Sequence, residues 1–521
     1  MQRRSFLTCS LAGVAAATLR ASHTWACGGT GLSPLAPGRA GRSLDSGRDA
    51  RTISVLEQDQ VPGWISSRWP ATGPLRANPD NPRYFTDGSG RAIFLTGSHT
   101  WANFQDLGLP PVARFDYPAY TDMMVKHNHN FMRFWHWLAA AYAPWTDEKI
   151  LFEPLPYLRT GPGVALDGQP KFDLTKFNPE YFERLRSRLL YAREHGIYGA
   201  VQLFQSFSEK KQNVPCDPWP AHPYNVQNNI NGFDGQEGNT GTVSLYRSEV
   251  REMQAAYLRR VIDTVNDLDN ILYEVMNEGG NKDWDWWVVD FVHNYENKKG
   301  NRHPVGLTGY NSEGLKSMLE SPCDWVSPGA DDGAYFMNDP PDWDGKKVAV
   351  LDTDHLWGHG GTPGWAWKSF CRGYNTLLMD SWMPIPGHPC GEVNWAARPG
   401  YPTRDLNRAD AWVWEPVRKA IGNTRTYANK MNLVEMTPHD DLADTKYCLA
   451  SPGHEYLVYL PEGYQVSVDL TGASRTFEVE WVHPVEGAVT GGGTVEGGRK
   501  TGFMVPFPGP AVLYLRAAAT G

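Results

Sequence analysis

The 521-residue chain has few cysteines and no concentration of positive charge. The cysteines beyond the first 27 residues are odd in number, scattered along the chain and without a CxxC pair. This pattern excludes a dense disulfide scaffold and the common zinc knuckles, although it still allows one disulfide bond, from Cys371 to Cys390. With a net charge of −9 and no Lys/Arg stripe, nucleic acid is not an expected partner. The cysteines beyond the first 27 residues are Cys216, Cys323, Cys371, Cys390 and Cys448.

The motifs of several enzyme classes are also missing. The sequence has no GxSxG elbow of a serine hydrolase, no HExxH zinc motif, no calcium loop and no glycine-rich phosphate loop after its first apolar run. His127, His129 and His355 stand outside any recognised metal-ligand spacing. We therefore expect an activity that requires neither a metal nor an organic cofactor.

The chain does have an ordinary globular composition with an excess of aromatic rings. Hydrophobic residues make up 41% and charged residues 21%, and the length indicates a large domain plus an accessory module. Many of the 21 Trp and 23 Tyr stand beside Asn, Asp, Gly or His. Rings next to hydrogen-bonding groups suit sugar binding, whereas tryptophans that fill a large core would give the same count.

The N-terminus is typical of an exported protein. Arg3-Arg4-Ser5-Phe6-Leu7 precedes an apolar run to Leu19 and small residues up to Cys27, which resembles a twin-arginine signal peptide over residues 1–27. The run is too short for a membrane-spanning helix, so we expect a periplasmic or secreted protein without integral membrane contact. Residues 28–77, rich in Gly, Ser, Pro and Arg, are predicted to be a linker and irregular lead-in.

Eight short apolar runs alternate with amphipathic stretches between residues 78 and 433. Helices are predicted over residues 179–195 and 244–268. Eight such units favour a (β/α)8 TIM barrel over the alternative, a doubly wound open sheet. The predicted strands are residues 92–97, 131–135, 198–203, 271–276, 304–308, 325–327, 348–351 and 376–379.

The pattern changes after about residue 434, where short strands follow one another without helices. Gly, Pro and Glu-rich turns separate them, which is typical of a small antiparallel β-sandwich. We predict an accessory domain over residues 434–521, with strands at residues 447–450, 455–459, 465–470, 477–482 and 511–515.

In a barrel enzyme the reacting groups follow the strands, and the fourth run ends in Asn277-Glu278. A carboxylic acid in a partly desolvated site can protonate a glycosidic oxygen, and Asn277 can hydrogen-bond the neighbouring sugar hydroxyl. The pair alone would equally suit a capping role at a strand exit. Its position resembles clan A retaining glycosidases, in which strand four ends in Asn-Glu and strand seven supplies the nucleophile. That resemblance implies that Glu278 is the acid/base.

The seventh run departs from the clan A pattern, because Asp352-Thr353-Asp354-His355 follows it and no Glu is present. Residues two apart share one face of a strand, so we expect both Asp352 and Asp354 to point into the barrel mouth. Either can be the nucleophile or base. An Asp is one methylene shorter than Glu, which recesses its oxygen by roughly 1.5 Å and leaves retention or inversion open.

Further polar and aromatic residues follow other predicted strands. We expect Arg133 to keep the nucleophile ionised through paired hydrogen bonds, Tyr310 to donate to it, and the tryptophans to form a stacking floor for sugar. Each of them also has a plain structural explanation. The predicted substrate-binding residues are Asn277, His99, Trp101, Arg133, Trp135, His136, Trp137, Gln205, Tyr310, His355 and Trp357.

More narrowly, the chain resembles the apiosidase-like barrel hydrolases, whose barrel precedes a small domain labelled as collagen-binding. The likeness spans nearly all of residues 80–521. Two departures are His99, where an acidic residue is common in the relatives, and the strand-seven aspartates. The resemblance is carried by Arg83-Tyr84-Phe85, Asp87-Gly88, Phe94-Leu95-Thr96-Gly97, Asn130-Phe131-Met132-Arg133, Glu455-Tyr456-Leu457-Val458-Tyr459-Leu460-Pro461, Phe477-Glu478-Val479-Glu480-Trp481, His483-Pro484 and Gly487.

These features favour an exported glycoside hydrolase that cleaves an oligo- or polysaccharide with a Glu acid/base and an Asp nucleophile, in a retaining mechanism. Two alternatives remain at this point. One is a non-catalytic carbohydrate-binding protein on a degenerate barrel, and the other is a transglycosylase, in which sugar replaces water in the second step. A carboxyl group on both strand four and strand seven favours the enzyme.

Overall fold

The structure is a computed structural model that describes part of the chain. The predicted signal peptide, most of the lead-in, Tyr310, Trp357 and Cys390 lie outside the described residues. Among the described helices, none combines the length and the hydrophobicity that a membrane-spanning segment needs. The described residues are 70–143, 146–209, 211, 217–236, 241–309, 314–329, 339–356, 358, 360–380, 382 and 414–518.

Eight parallel strands close into a barrel in chain order, with the eighth paired to the first. This confirms the predicted (β/α)8 fold. All eight are buried along their whole length, because neighbouring elements cover the outer face and side chains fill the interior. The strands are β1 Thr96–His99, β2 Phe131–Phe134, β3 Tyr198–Gln205, β4 Ile271–Asn277, β5 Val305–Thr308, β6 Trp325–Ser327, β7 Val348–Asp352 and β8 Asn375–Met379.

The first strand begins four residues later than predicted. Ile93 forms an isolated antiparallel bridge with Phe85, so the start of the predicted run belongs to the lead-in and not to the barrel. The backbone N–H of Leu95 donates to the side chain of Asn375 rather than to a neighbouring strand. As a result His99 is the last residue of β1, inside the barrel, instead of lying in the loop beyond it.

The helices surround the barrel, and several begin at capping residues visible in the sequence. Asn178, Asn281 and Thr362 each accept a hydrogen bond from a backbone N–H in the first turn of the helix that follows. Both predicted helices are present, but the first ends one residue earlier than predicted and the second is shorter at both ends. The described helices are α1 Tyr117–Lys126, α2 Pro179–Glu194, α3 Ser248–Val265, α4 Lys282–Glu296, α5 Gly314–Glu320, α6 Thr353–Leu356, α7 Pro363–Cys371 and α8 Glu415–Lys430, with short 3-10 turns at Ser206–Ser208 and Trp219–Ala221.

A group of strands that the sequence analysis missed lies mainly between β2 and β3. It consists of a three-stranded sheet and a separate hairpin whose pairing is broken by irregularities. Short segments with proline and little alternation carry a weak strand signal, which is why they were overlooked. The three-stranded sheet contains Asp106–Gly108, Ala141–Ala143 and Thr146–Glu153; the hairpin contains Tyr157–Val164 and Pro170–Phe177; and Arg76–Ala77 pairs with Phe85–Thr86 before the barrel.

The C-terminal region folds into two antiparallel sheets, as the sequence predicts. The strands are β9 Thr437–Pro438, β10 Cys448–Ser451, β11 Glu455–Leu460, β12 Gln465–Asp469, β13 Thr476–Val482, β14 Val489–Glu496, β15 Lys500–Met504 and β16 Ala511–Ala517. The larger sheet has the order β9-β10-β11-β16-β13-β14, and β12 pairs with β15 in the smaller one. The five predicted strands are present, whereas β9, β14 and β15 were missed because they are short or rich in glycine.

The sandwich packs on α7 and α8 at the outside of the barrel. Trp367 stacks on Tyr459 at 6.4 Å between ring centroids and donates its indole N–H to the carbonyl of Pro484 at 2.9 Å. On α8, Tyr427 and Lys430 both bond to Glu480. One continuous apolar core therefore contains residues of both regions.

The described cysteines are buried, unpaired thiols. They are Cys323, Cys371 and Cys448. Cys371 is one of these free thiols, and Cys390, its candidate partner from the sequence, lies outside the described residues.

Gly422 lets α8 approach the barrel closely. A Cβ atom at this position would lie 1.8 Å from the backbone carbonyl oxygen of His127. An alanine gains about 1 kcal/mol of helix propensity, but backbone overpacking costs about 1–3 kcal/mol or more. We expect Gly422→Ala to lower the free energy of unfolding, measured by denaturant titration.

Gly472 provides the matched control, because nothing lies within 4 Å of a Cβ atom added there. Gly472→Ala should leave stability within about 0.5 kcal/mol of wild type. A Gly422→Ala protein as stable as wild type would show that α8 is not held against the barrel in this way.

Candidate active site

The guanidinium of Arg133 lies inside the barrel and joins three strands. Its Nε and Nη2 atoms donate to the two carboxylate oxygens of Glu274 on β4, at 2.5 and 2.6 Å. Its Nη1 atom donates to Asp354 at 2.8 Å and lies 3.4 Å from Asp352. Nη2 also bonds to the side-chain oxygen of Asn277. Burial alone would lower the pKa of Arg133, but these carboxylates raise it above its ordinary value.

Glu274 is the functional-site residue that the sequence analysis missed. Its side chain is fully buried and lines a small cavity in the barrel interior together with Arg133 and Asp352. The paired hydrogen bonds of Arg133 were expected to reach a strand-seven aspartate, but they go to Glu274 instead. A charged residue inside the apolar run of β4 was the available signal, because a fully buried carboxylate requires a partner.

Asp352 is the last residue of β7 and is almost fully enclosed. It accepts hydrogen bonds from Nε2 of His99 at 2.9 Å and from the backbone N–H of Asp354 at 3.0 Å. Burial opposes its ionisation, but the hydrogen bond from His99 and the nearby Arg133 hold the pKa of Asp352 well below its ordinary value. The carboxylate of Asp352 is therefore ionised at neutral pH.

Asp354 does not continue the strand as predicted, because the chain turns into α6 at Thr353. The carboxylate of Asp352 receives the N–H of Asp354 and so forms an Asx turn that starts this helical turn. Both carboxylates nevertheless lie at the same guanidinium nitrogen of Arg133. The side chain of Asp354 is 8% exposed, against 2% for Asp352, so it is the more accessible of the two.

Glu278 follows β4 in a left-handed backbone conformation, with φ of 55°, and Gly279 continues it with φ of 70°. This turn is held by Asp285 on α4, whose carboxyl group accepts the N–H of Gly280 at 3.2 Å. Burial and the negative charges of Asp354 and Asp352 raise the pKa of Glu278 to about 8. Glu278 is thus protonated at neutral pH.

His355 lies between Asn277 on β4 and Asp354, which follows β7; together with Glu278, Asp352, Arg133 and Glu274 these residues form the carboxyl cluster of the barrel interior. Its Nδ1 atom lies 2.8 Å from the hydroxyl of Ser327, and its Nε2 atom lies 3.4 Å from Asn277 and 3.6 Å from Asp354. Burial lowers the pKa of His355 to about 4, so the ring is neutral at physiological pH. The structure therefore brings together Glu278, Asp352, Asp354, Asn277, His99, Arg133 and His355 from the predicted set.

The predicted aromatic residues are placed less favourably for substrate. Trp135 and Trp137 stack on each other at 5.4 Å and are 2% and 1% exposed, and Trp137 also stacks on Phe152. This placement does not support a sugar-stacking role for either ring. Trp101 lies edge-on to both of them and is partly exposed.

Two further predicted residues, His136 and Gln205, have other hydrogen-bond partners. His136 points outward between α2 and α3, where Nδ1 lies 2.6 Å from the hydroxyl of Tyr181 and 3.4 Å from that of Tyr257. It is not part of the carboxyl cluster. Gln205 is the last residue of β3, opposite Asn277, and its side-chain oxygen accepts from Ser208 at 2.9 Å. Tyr310 and Trp357 remain predictions outside the described residues.

Comparisons with known proteins agree with this architecture. A protein-family model described as a domain of unknown function, DUF6298, matches residues 146–312. No curated protein matches the sequence. Among solved structures, the chain is similar to a glycoside hydrolase family 5 protein from Bacteroides vulgatus ATCC 8482, at 12% identity and a TM-score of 0.53, over 86% of this chain and 94% of that one.

A second structure, described as a glycoside hydrolase, matches at 12% identity and a TM-score of 0.50, over 86% of this chain and 98% of the other. At this identity the likeness shows the fold alone. The chain thus has the barrel fold found in these glycoside hydrolases, and its chemistry must be argued from its own residues.

Replacement of Arg133 tests whether it neutralises the cluster. We expect Arg133→Met to lower the free energy of unfolding by about 3–5 kcal/mol at pH 8, because it leaves buried carboxylates without a counter-charge. In that variant the carboxylates have pKa values raised above those of the unfolded chain, so the folded state binds protons as the pH falls. The deficit relative to wild type should therefore be smaller at pH 5 than at pH 8, measured by denaturant unfolding.

Arg186→Met is the control, since Arg186 makes the same paired contact with Asp267, at 2.6 Å, on the protein surface. It should cost less than about 1 kcal/mol. A deficit for Arg133→Met that grew toward acid pH would contradict the proposed charge balance.

Proposed function

We propose that this protein is a glycoside hydrolase in which Glu278 is the acid/base and Asp354 the nucleophile. The observation that carries the proposal is Glu278, a half-buried carboxyl group with a pKa of about 8 that is raised in part by the charge of Asp354, a carboxylate held by Arg133. Two carboxyl groups kept in opposite protonation states are what glycoside hydrolysis needs. The barrel fold that the chain shares with glycoside hydrolases also favours this reaction over others.

In the proposed reaction Glu278 gives its proton to the glycosidic oxygen while a carboxylate oxygen of Asp354 bonds to the anomeric carbon. The bond between that carbon and the leaving oxygen breaks. In the second step Glu278 takes a proton from water, whose oxygen replaces Asp354 at the same carbon. Asn277, adjacent to Glu278, is suited to bond the sugar hydroxyl next to the reacting centre.

Asp354 suits the nucleophilic role better than Asp352. Asp352 is enclosed by His99, Arg133 and the backbone of Asp354, which leaves little room for a sugar carbon. Asp354 is more exposed and has more influence than Asp352 on the pKa of Glu278. We propose the retaining mechanism, in which the two carboxyl groups lie about 5–5.5 Å apart rather than the about 6.5–9.5 Å of inverting enzymes.

The two alternative functions are less well supported. A binding protein on a degenerate barrel would present its tryptophans and lose its carboxyl pair, whereas Trp135 and Trp137 are buried and carboxyl groups follow both strand four and strand seven, at Glu278 and Asp354. A transglycosylase would share the first step. We further propose export through the twin-arginine-like leader, an oligo- or polysaccharide substrate, and kinship with the apiosidase-like hydrolases.

The pH dependence of activity tests the role of Glu278. An acid must be protonated, so turnover should fall as the pH rises through about 8, the pKa of Glu278. Glu278→Gln should lower kcat on substrates with poor leaving groups by on the order of 10³-fold and remove this alkaline limb. The measurement is hydrolysis of a panel of aryl glycosides and of plant and bacterial polysaccharides. Glu320→Gln, on the exposed face of α5, is the control and should behave as wild type.

The two aspartates can be separated by a matched pair of substitutions. Asp354→Asn should lower kcat by several orders of magnitude and shift the alkaline limb to lower pH, because one of the charges that raise the pKa of Glu278 is lost. Asp352→Asn should lower kcat much less. Retention predicts that the first product formed keeps the anomeric configuration, observed by NMR. Activity in Asp354→Asn together with its loss in Asp352→Asn would reverse the assignment.

A further inference from the structure

His99 is held between two buried partners, Trp135 just beyond the end of β2 and Asp352 at the end of β7. Its Nδ1 atom receives the indole N–H of Trp135 at 2.7 Å, and its Nε2 atom lies 2.9 Å from Asp352. An indole N–H can only donate a hydrogen bond, so Nδ1 must present a lone pair and the ring proton must reside on Nε2. His99 is therefore a neutral ring that donates to Asp352.

We propose that Trp135 is a positioning residue that fixes His99 in this neutral tautomer and thereby preserves the negative charge of Asp352 in the active site. The catalytic consequence rests on the proposed function, whereas the tautomer itself does not. Protonation of Nδ1 would place two N–H donors against each other at 2.7 Å and break the bond to Trp135. The indole thus opposes the attraction that the Asp352 carboxylate exerts on a second proton.

The other groups that face His99 do not supply a competing neutralisation. Asp380, which follows β8, has its carboxylate taken by Arg418 at 2.5 and 2.7 Å. His355 is buried and neutral at physiological pH. Arg133 is already shared among several carboxylates. Among these groups, only protonation of His99 would therefore neutralise the negative charge of Asp352.

This charge matters because Asp352 is one of the groups that raise the pKa of Glu278. A positively charged His99 would offset it, and Glu278 would lose its proton at lower pH. Trp135 stands two residues beyond Arg133, so β2 and its exit act on strand seven directly through the guanidinium and indirectly through His99. The predicted sugar-stacking ring thus has a different role, which uses its N–H group rather than its face.

Trp135→Phe isolates the N–H group. It retains an aromatic ring against the guanidinium of Arg133, which lies 4.6 Å from the ring centroid, and removes the donor together with part of the ring volume, a loss that the control below shares. In protein with ¹⁵N-labelled histidine, His99→Gln identifies the His99 signals. At pH 7 we expect wild-type Nδ1 to give the signal of an unprotonated nitrogen and Trp135→Phe to give that of a protonated one. Unchanged His99 signals in Trp135→Phe would overturn the proposal, and no substrate is needed for this test.

The activity test measures the same effect at Glu278. Trp135→Phe should lower kcat about fivefold at pH 8 and less at pH 6, because a drop of about one unit in the pKa of Glu278 depletes its protonated form mainly at alkaline pH. The substitution should have no further effect in a His99→Gln background, since its action passes through His99. An equal loss at both pH values, or an undiminished loss in His99→Gln, would overturn this role.

Trp367→Phe is the matched control. Trp367 is also fully buried and loses a comparable indole bond, 2.9 Å to the carbonyl of Pro484, but it lies at the contact with the sandwich. It should leave the His99 signals and the pH dependence of kcat as in wild type. If His99 responds as expected while Glu278→Gln remains fully active, the tautomer assignment stands and the proposed glycosidase function fails.

Discussion

The site depends on one buried positive charge. Arg133 lies inside the barrel and serves Glu274, Asp352, Asp354 and Asn277 at once. An unpaired guanidinium in this position would be prohibitively costly, and so would the carboxylates without it. Because Glu274 takes the paired bonds of Nε and Nη2, the remaining nitrogen, Nη1, has a fixed direction toward strand seven. The geometry of both aspartates is thus set from β4 through β2.

Much of this arrangement is predictable from the sequence. Eight apolar runs with helices between them define the barrel, and its strand ends must converge, so Asn277, Glu278, Asp352, Arg133 and His99 are expected neighbours. The structure brings them together. Chain order and apolar pattern carry this information because the closed sheet leaves few ways to connect successive parallel strands.

What the sequence does not reveal is the direction of individual side chains at the strand exits. Arg133 is the penultimate residue of β2, and Trp135 and Trp137 follow the strand, yet their rings pack into the core, whereas His136 between them turns out toward α2. Period-two alternation explains this only once the end of the strand is known. Glu274 was overlooked for a different reason, since its importance comes from a partner 141 residues away in the chain.

The short side chain at strand seven is accommodated by the backbone. A Glu at the strand end would carry its carboxylate outward, and an Asp in the same place remains recessed, as Asp352 is. The Asx turn formed by Asp352 converts the chain into α6 at once and carries Asp354 round to the same guanidinium nitrogen. Two aspartates, one at the strand end and one in the following turn, therefore stand where a single glutamate was expected. Asp352 organises the turn and supplies a fixed charge, and Asp354 is the more exposed of the two carboxylates.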